Sequence, residues 1–137
     1  MKVLKFGGSS VGTAESILKV KSIIGSKKEA CIVVVSALGG ITDQLISISS
    51  LAESGNDSYR EQLSDIRRRH FAVCDEVVAD EAGRVRLKEA ISSLLESLER
   101  ICDGVFLLRV LPRKTRDEIV SFGERMSSLI LQAVIPG

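Results

Sequence analysis

Apolar and polar positions near the start of the chain predict two strands with a helix between them. Residues 2–6 (KVLKF) form a short strand, and residues 31–35 (CIVVV) form a nearly continuous β-branched run. Such a run is typical of a central parallel strand covered by helices on both faces. Between the strands, Thr13 is the predicted N-cap of a helix that stops at Gly25. Strand, glycine-rich loop, helix and strand make a βαβ unit, so we predict an α/β fold that starts with this unit and continues mainly as helices.

Two helices are predicted between the second strand and residue 78. The first starts at about Thr42 and stops at residues 54–56 (SGN). The second opens with a capping box made by Ser58 and Glu61. Apolar residues recur along one side of each helix: Leu45, Ile48 and Ala52 in the first, and Leu63, Ile66, Phe71, Cys74 and Val78 in the second.

Two further helices are predicted toward the C-terminus. After Gly83, apolar residues recur at alternating intervals of four and three until residues 103–104 (DG), where we expect this helix to end. Thr115 and Glu118 form a second capping box at the start of the last helix. The apolar stripes are predicted to be core or interface: Leu87, Ile91, Leu94, Leu98 and Ile101, then Ile119, Phe122, Met126, Leu129 and Ala133.

Composition and charge exclude several classes of protein. The 19 basic residues nearly balance the 18 acidic ones, which argues against a general nucleic-acid binder. No apolar run approaches the roughly 18 residues that a membrane span needs. The three cysteines are odd in number and widely spaced, which excludes a disulfide framework and a CxxC metal site. They indicate a reducing, cytoplasmic location, where each cysteine is a small buried hydrophobe.

Both predicted strands lead into loops rich in glycine and hydroxyl residues. In a parallel sheet these loops meet at the carboxyl ends of the strands, where α/β proteins bind ligands. Gly7 and Gly12 have the spacing of a phosphate-binding P-loop, but Thr13 stands where the P-loop lysine belongs. A lysine lies upstream instead, at Lys5, and on the residues alone it can equally be a strand residue that points to solvent. The loops therefore predict a phosphate or carboxylate site.

Three stretches in order resemble a known family. Residues 5–11 (KFGGSSV) are similar to the N-terminal signature of aspartate kinases, members of the amino acid kinase family, which usually reads KFGGTSV. Residues 35–43 (VSALGGITD) resemble the family's second loop. Residues 121–127 (SFGERMS) resemble its SxGE[RL]xS helix segment. The resemblance implies a three-layer αβα fold and an enzyme that uses ATP to phosphorylate the side-chain carboxylate of L-aspartate. The product, 4-phospho-L-aspartate, leads to lysine, threonine and methionine.

The resemblance also implies roles for individual residues. Lys5 is expected against the transferring phosphate of ATP, with Gly7, Gly8 and Ser9 donating hydrogen bonds nearby. No metal-ligand cluster is visible in the sequence, so Mg²⁺ is expected to arrive with ATP.

The substrate side is assigned in the same way. Ser36 and Thr42 are expected to contact aspartate or phosphate, and Glu124 to bind the amino group of aspartate. Each has a structural alternative, because Glu124 can pair with a surface cation and Thr42 can cap its helix.

Other polar residues are given structural interpretations. Arg125 is expected to make an ion pair, residues 67–69 (RRR) to form a solvated helix face, and His70 to be a packed core residue.

The resemblance covers the first part of the family's catalytic domain. We therefore expect residues 1–137 to be an incomplete N-terminal portion of that domain, inactive alone and prone to self-association through unpaired sheet edges. The full-length protein is expected to be a homo-oligomer that binds neither nucleic acid nor membrane. Two alternatives remain: a sister kinase acting on glutamate, N-acetylglutamate, carbamate or UMP, and a non-catalytic helical interaction module.

Overall fold

The computed structural model describes residues 2–7, 12–27 and 30–135. The elements follow in the order β1 (Lys2–Phe6), α1 (Ala14–Gly25), β2 (Cys31–Val35), α2 (Ile41–Glu53), α3 (Tyr59–Val77), α4 (Glu81–Leu108) and α5 (Arg113–Val134). The predicted α/β class is confirmed, as is the βαβ unit followed by helices.

Strands β1 and β2 pair in parallel, with Lys2 opposite Cys31 and Phe6 opposite Val35. The pairing continues one step further, since the Ser36 amide donates to the Phe6 carbonyl at 2.9 Å. The burial of β2 differs from the expectation that both faces are covered. Val35 is buried, whereas Ile32 is 51% exposed, because the described helices pack on one side of the sheet.

Helix α1 begins as predicted. The Thr13 side chain accepts a hydrogen bond from the Ser16 amide at 3.1 Å, which is the N-cap bond expected at this position. The helix ends at Gly25, and Ile17 and Val20 on one face are buried. The sequence therefore predicted both ends of α1 correctly.

Helix α2 begins one residue earlier than predicted, and its N-cap is a glycine. Gly40 has a φ of +83°, a left-handed conformation that favours glycine, and Ile41 is the first helical residue. Thr42 lies within the first turn and is exposed, so the alternative in which it caps the helix is wrong. The predicted buried face is confirmed, with Leu45, Ile48 and Ala52 fully buried.

The two predicted capping boxes are not formed. Ser58 is the N-cap of α3, but its side chain makes no capping bond, and its amide instead donates to Asn56 Oδ1 at 3.0 Å. Helix α5 starts at Arg113, directly after Pro112, which places Thr115 inside the helix. A proline suits this position because it has no N–H to leave unpaired.

Helix α4 is longer at both ends than the sequence predicted. Asp80 is its N-cap and accepts from the Gly83 amide at 2.8 Å, so Gly83 lies in the first turn. The helix passes through Gly104 and ends at Leu108. A glycine costs a helix about 1 kcal/mol, and burial of Cys102 and Val105 on either side of Gly104 offsets that cost.

The core lies among α2, α3, α4 and α5, and its largest fully buried side chains come from all four helices. On α4 the predicted Leu87, Ile91 and Leu98 are buried. Leu95 and Cys102 are buried in place of the predicted Leu94 and Ile101, which precede them by one residue and are partly buried. The thiols of Cys74 and Cys102 are free, and burial raises their pKa values to about 11 and about 12. They are thus protonated hydrophobes, as predicted, whereas Cys31 on β2 is only partly buried and differs from that prediction. No helix among the described residues is long and apolar enough to cross a membrane.

Candidate active site

Residues from three elements line one small open cleft at the carboxyl ends of the two strands. Lys5 and Gly7 come from the end of β1, Ser36 from the end of β2, and Glu124 from α5. The cleft has a volume of about 170 Å³, and Phe6, Val34 and Val35 form its apolar wall. A lysine and a glutamate thus border the same space, together with a serine and a glycine. Such a cleft suits a ligand that carries both negative and positive groups.

The backbone of Ser36 is held from two sides. Its amide bonds to β1, and its carbonyl oxygen lies 2.7 Å from the Oγ of Ser127, which donates to it. Ser127 is buried and lies on α5, one turn after Glu124. This bond therefore joins the end of β2 to the helix that carries the carboxylate.

A glycine brings α5 close to the loop that follows β2. A Cβ atom at Gly123 would lie 2.7 Å from the Cβ of Ala37, closer than side chains approach one another. It would also lie 3.3 Å from Leu45 Cδ1 and 3.4 Å from Ile41 Cγ2 on α2. The close approach of α5 to the loop after β2 thus requires a glycine at position 123. This approach also fixes the position of the neighbouring Glu124 relative to Ser36.

Sequence reasoning singled out Glu124 but missed these two supporting residues. Gly123 and Ser127 stand in the same SFGERMS segment, so the motif was the signal that could have found them. Arg125, in this segment, was expected to form an ion pair. Among the described residues it instead stacks on Phe122, with its guanidinium carbon 4.2 Å from the ring centroid.

The structure brings together four of the seven predicted site residues. Lys5, Gly7, Ser36 and Glu124 share the cleft. Gly8 and Ser9 lie outside the described residues. Thr42 is exposed in the first turn of α2 and is not part of the described lining of the cleft.

The arginine run on α3 is not one solvated face, so that prediction is wrong in part. Arg68 fits it, since its side chain is 76% exposed and pairs with Asp65. Arg67 donates to Ser92 Oγ on α4 at 3.0 Å. Arg69 reaches the two β-to-α loops, where it donates to the Gly12 carbonyl at 3.0 Å and to the Gly39 carbonyl. Its position three residues after Ile66 placed it at the border of the apolar face, the one signal in the sequence.

His70 is fully buried, as expected for a core residue. Its Nδ1 lies 2.7 Å from the Ile66 carbonyl, while Nε2 has no partner among the described residues. Burial lowers the pKa of His70 from 6.5 to about 4, so the ring is neutral and Nδ1–H donates. A ring held in this way is a packing residue rather than a base in the cleft.

The described residues contain no group of three or more His, Cys, Asp or Glu that could hold a metal ion. The polar groups of the cleft are one lysine, one serine and one carboxylate. This donor set fits the phosphates of a nucleotide better than a bare divalent cation, which takes several oxygen ligands.

A model of one family matches the chain from residue 1 to residue 137. Its description is "Amino acid kinase family". The chain belongs to the amino acid kinase family. The resemblance carried by residues 5–11, 35–43 and 121–127 is thereby confirmed at the level of the family.

Several curated relatives of this chain are named aspartokinases. Aspartokinase 1, chloroplastic, of Arabidopsis thaliana is 35% identical over 97% of this chain and 23% of its own length. Lysine-sensitive aspartokinase 3 of Escherichia coli is 32% identical over 97% of this chain and 28% of its own. The crystal structure of E. coli aspartokinase III in complex with aspartate and ADP matches with a TM-score of 0.83 at 30% identity, over 98% of this chain and 28% of that one. The chain thus spans about a quarter of the length of these relatives.

Proposed function

We propose that this chain contributes the acceptor side of an ATP-dependent aspartate kinase, which transfers the γ-phosphoryl group of ATP to the side-chain carboxylate of L-aspartate. The observation that carries the proposal is the single cleft shared by Lys5, Ser36 and Glu124. Lys5 and Glu124 are 119 positions apart in the sequence, yet the fold brings both to the carboxyl ends of the strands. The names of the relatives support the same substrate.

Lys5 is proposed to stabilise the transferring phosphoryl group. Phosphoryl transfer depends mainly on positioning and on charge stabilisation, and a lysine that lines the cleft provides a positive charge for that purpose. The amide of Gly7 stands beside it at the end of β1, where a backbone without a side chain lets a phosphate oxygen approach. The corresponding roles of Gly8 and Ser9 remain predictions.

Glu124 is proposed to bind the α-ammonium group of aspartate. Its carboxylate is exposed at the cleft, and Gly123 and Ser127 on either side of it anchor α5 to the end of β2. An ammonium group bound at Glu124 leaves the acidic side chain of the substrate free to point toward Lys5. The Ser36 hydroxyl group is proposed to assist there, and a contact from Thr42 remains a prediction.

ATP is the proposed phosphoryl donor, and the solved relative with bound ADP supports it. Mg²⁺, where used, is proposed to be held chiefly by the nucleotide phosphates, because the lining of the cleft supplies one carboxylate. Magnesium would screen the negative charge of the phosphates, while Lys5 acts on the group in transfer.

The structure of the cleft also favours an acceptor with a free amino group. A carboxylate at Glu124 pairs well with the ammonium group of aspartate or glutamate, but N-acetylglutamate, carbamate and UMP have no such cation to offer. Sister kinases that use these last three acceptors are therefore disfavoured. Aspartate and glutamate are distinguished by the test below.

The test is a panel of acceptors offered to the protein expressed from its complete reading frame. Each acceptor is incubated with ATP and Mg²⁺, and the acyl phosphate is trapped with hydroxylamine and identified by mass. We expect the aspartyl hydroxamate, and we expect the Lys5→Met variant to lose turnover by about 100-fold or more. Lys19→Met is the control, since this lysine lies on α1 with its side chain 75% exposed. Product from glutamate but not aspartate, or full turnover in Lys5→Met, would contradict the proposal.

The remaining assignments are proposals of the same kind. Because the chain spans about a quarter of its relatives, catalysis is assigned to the complete protein, and we expect residues 1–137 alone to give no turnover in the same assay. Homo-oligomerisation of the complete protein remains a prediction. A cytoplasmic location does too, and it rests on the three unpaired thiols.

A further inference from the structure

One arginine on α3 connects the two loops that border the cleft. Arg69 donates from Nη2 to the carbonyl oxygen of Gly12 at 3.0 Å, and from Nη1 to the carbonyl oxygen of Gly39. These acceptors lie 57 and 30 residues away in the sequence. Arg69 itself is partly buried, and its neighbour on the chain, His70, is fully buried in the core. The guanidinium group is therefore held on a fixed helix.

Both carbonyl acceptors belong to glycines that directly precede the N-cap of a helix. Gly12 closes the loop after β1 and directly precedes Thr13, the N-cap of α1. Gly39 directly precedes Gly40, the N-cap of α2, whose φ is +83°. Each loop runs from the end of a strand that lines the cleft to the start of a helix. A single side chain thus joins Gly12 and Gly39, which lie close to the starts of α1 and α2, to α3.

The chemistry of arginine is specific for this task. A guanidinium group is planar and presents five N–H donors in a rigid fork, so it can bond two carbonyls at once. Lysine keeps the charge, but its three donors diverge from one nitrogen and cannot reproduce the fork. Among the described residues Arg69 has no carboxylate within ion-pair distance, so its hydrogen bonds go to the two loops.

The adjacent arginines provide an internal comparison. Arg68 is exposed and bonds Asp65 on its own helix, and Arg67 bonds Ser92 on α4. Only Arg69 of these three reaches the loops. Its role therefore follows from its place on the helix and not from the charge of the run.

We propose that Arg69 is a positioning residue, which holds the loops after β1 and β2 in the arrangement that binds the acceptor and the phosphate. The inference rests on the proposed function and deepens it. Arg69 acts through the loop backbones and touches no reacting group. Its loss lowers the fraction of molecules whose loops are arranged for binding. The apparent dissociation constant for substrate is the intrinsic constant divided by that fraction, so it rises as the fraction falls.

The kinetic test separates this role from a merely structural one. In the protein from the complete reading frame, Arg69→Lys and Arg69→Met are expected to raise KM for aspartate and ATP about tenfold, with kcat changed less than about twofold, because saturating substrate restores the loop arrangement. Loss of folded protein would instead lower kcat in proportion and leave KM unchanged. Arg68→Met is the matched control and is expected to match wild type in both constants.

Two outcomes overturn the inference: an unchanged KM in Arg69→Lys, or a fall in kcat at constant KM. Should Arg69→Met fail to fold, Arg69→Lys carries the test, because it retains the alkyl stem and the charge.

A second measurement does not depend on catalysis. Hydrogen–deuterium exchange of the amides in residues 36–40 and 12–13 is expected to be about tenfold faster in Arg69→Lys than in wild type or Arg68→Met. Equal exchange in these loops would overturn the positioning role even in an active enzyme. Faster exchange in a protein that phosphorylates no amino acid would instead support the loop contact and refute the proposed function. Failure of the positioning role and failure of the proposed function therefore give different results.

Discussion

Replacing Gly123 with alanine tests how closely α5 must approach the end of β2. The new Cβ would lie 2.7 Å from the Cβ of Ala37, and it would also crowd Leu45 and Ile41 at 3.3 and 3.4 Å. Both Cβ atoms at the shortest contact are attached directly to backbone, so no rotamer change relieves the overlap. Helix α5 or the loop around Ala37 must move instead.

The magnitude follows from two opposing effects. Alanine in place of glycine within a helix gains about 1 kcal/mol from backbone propensity. Overpacking of a buried contact costs about 1–3 kcal/mol. We therefore expect Gly123→Ala to destabilise α5 by about 1 kcal/mol net, and to lower kcat/KM about tenfold or more because Glu124 moves with the helix.

Gly104→Ala is the matched control. Gly104 also lies inside a long helix, but a Cβ there would meet nothing within 4 Å. The propensity gain is then unopposed, and α4 is expected to become more stable by up to about 1 kcal/mol.

The assay is native-state hydrogen exchange, which reports the free energy of local opening for each helix within the complete protein. Slower exchange in Gly123→Ala than in wild type, together with unchanged activity, would refute the close-approach argument.

Two further predictions concern buried polar groups. Ser127→Ala removes the buried hydroxyl group that donates to the Ser36 carbonyl and is expected to destabilise the contact between α5 and β2 by about 1–3 kcal/mol. Ser121→Ala removes only a bond within α5 and is expected to change local exchange little, so equal effects of the two substitutions would contradict this. Burial lowers the pKa of His70 from 6.5 in the unfolded chain to about 4 in the folded protein, so its contribution to stability is fully present above pH 6.5 and falls by about 3 kcal/mol between pH 6.5 and about 4. Thermal unfolding against pH is expected to show this slope in wild type but not in His70→Gln, and parallel curves would count against it.

The sequence predicted the elements best where their signals are local. The N-cap bond of Thr13 depends on a residue three positions away, and the apolar face of α2 depends on positions three or four residues apart. Such patterns lie within one helix and need no knowledge of neighbouring elements. Gly104 shows the limit of this reasoning, because packing on both sides of it outweighed the local tendency of glycine to end a helix.

The supporting contacts of the candidate site could not be predicted in the same way. Ser127 and Ser36 are 91 residues apart, and Arg69 and Gly12 are 57 apart. The place of Arg69 at the border of the apolar face of α3 is a local signal, but it does not indicate that this arginine contacts the two loops. The packing of α3 against α1 and α2 determines that contact, and it is settled only by the fold as a whole.

The central claim is that Glu124 binds the amino group of aspartate in the cleft it shares with Lys5 and Ser36. Its most direct test is kcat/KM for aspartate in Glu124→Gln, measured by hydroxylamine trapping in the complete protein beside Glu118→Gln, an exposed glutamate earlier in α5. We predict a loss of about 100-fold or more in Glu124→Gln and wild-type values in Glu118→Gln. Equal activity in the two variants would contradict the account.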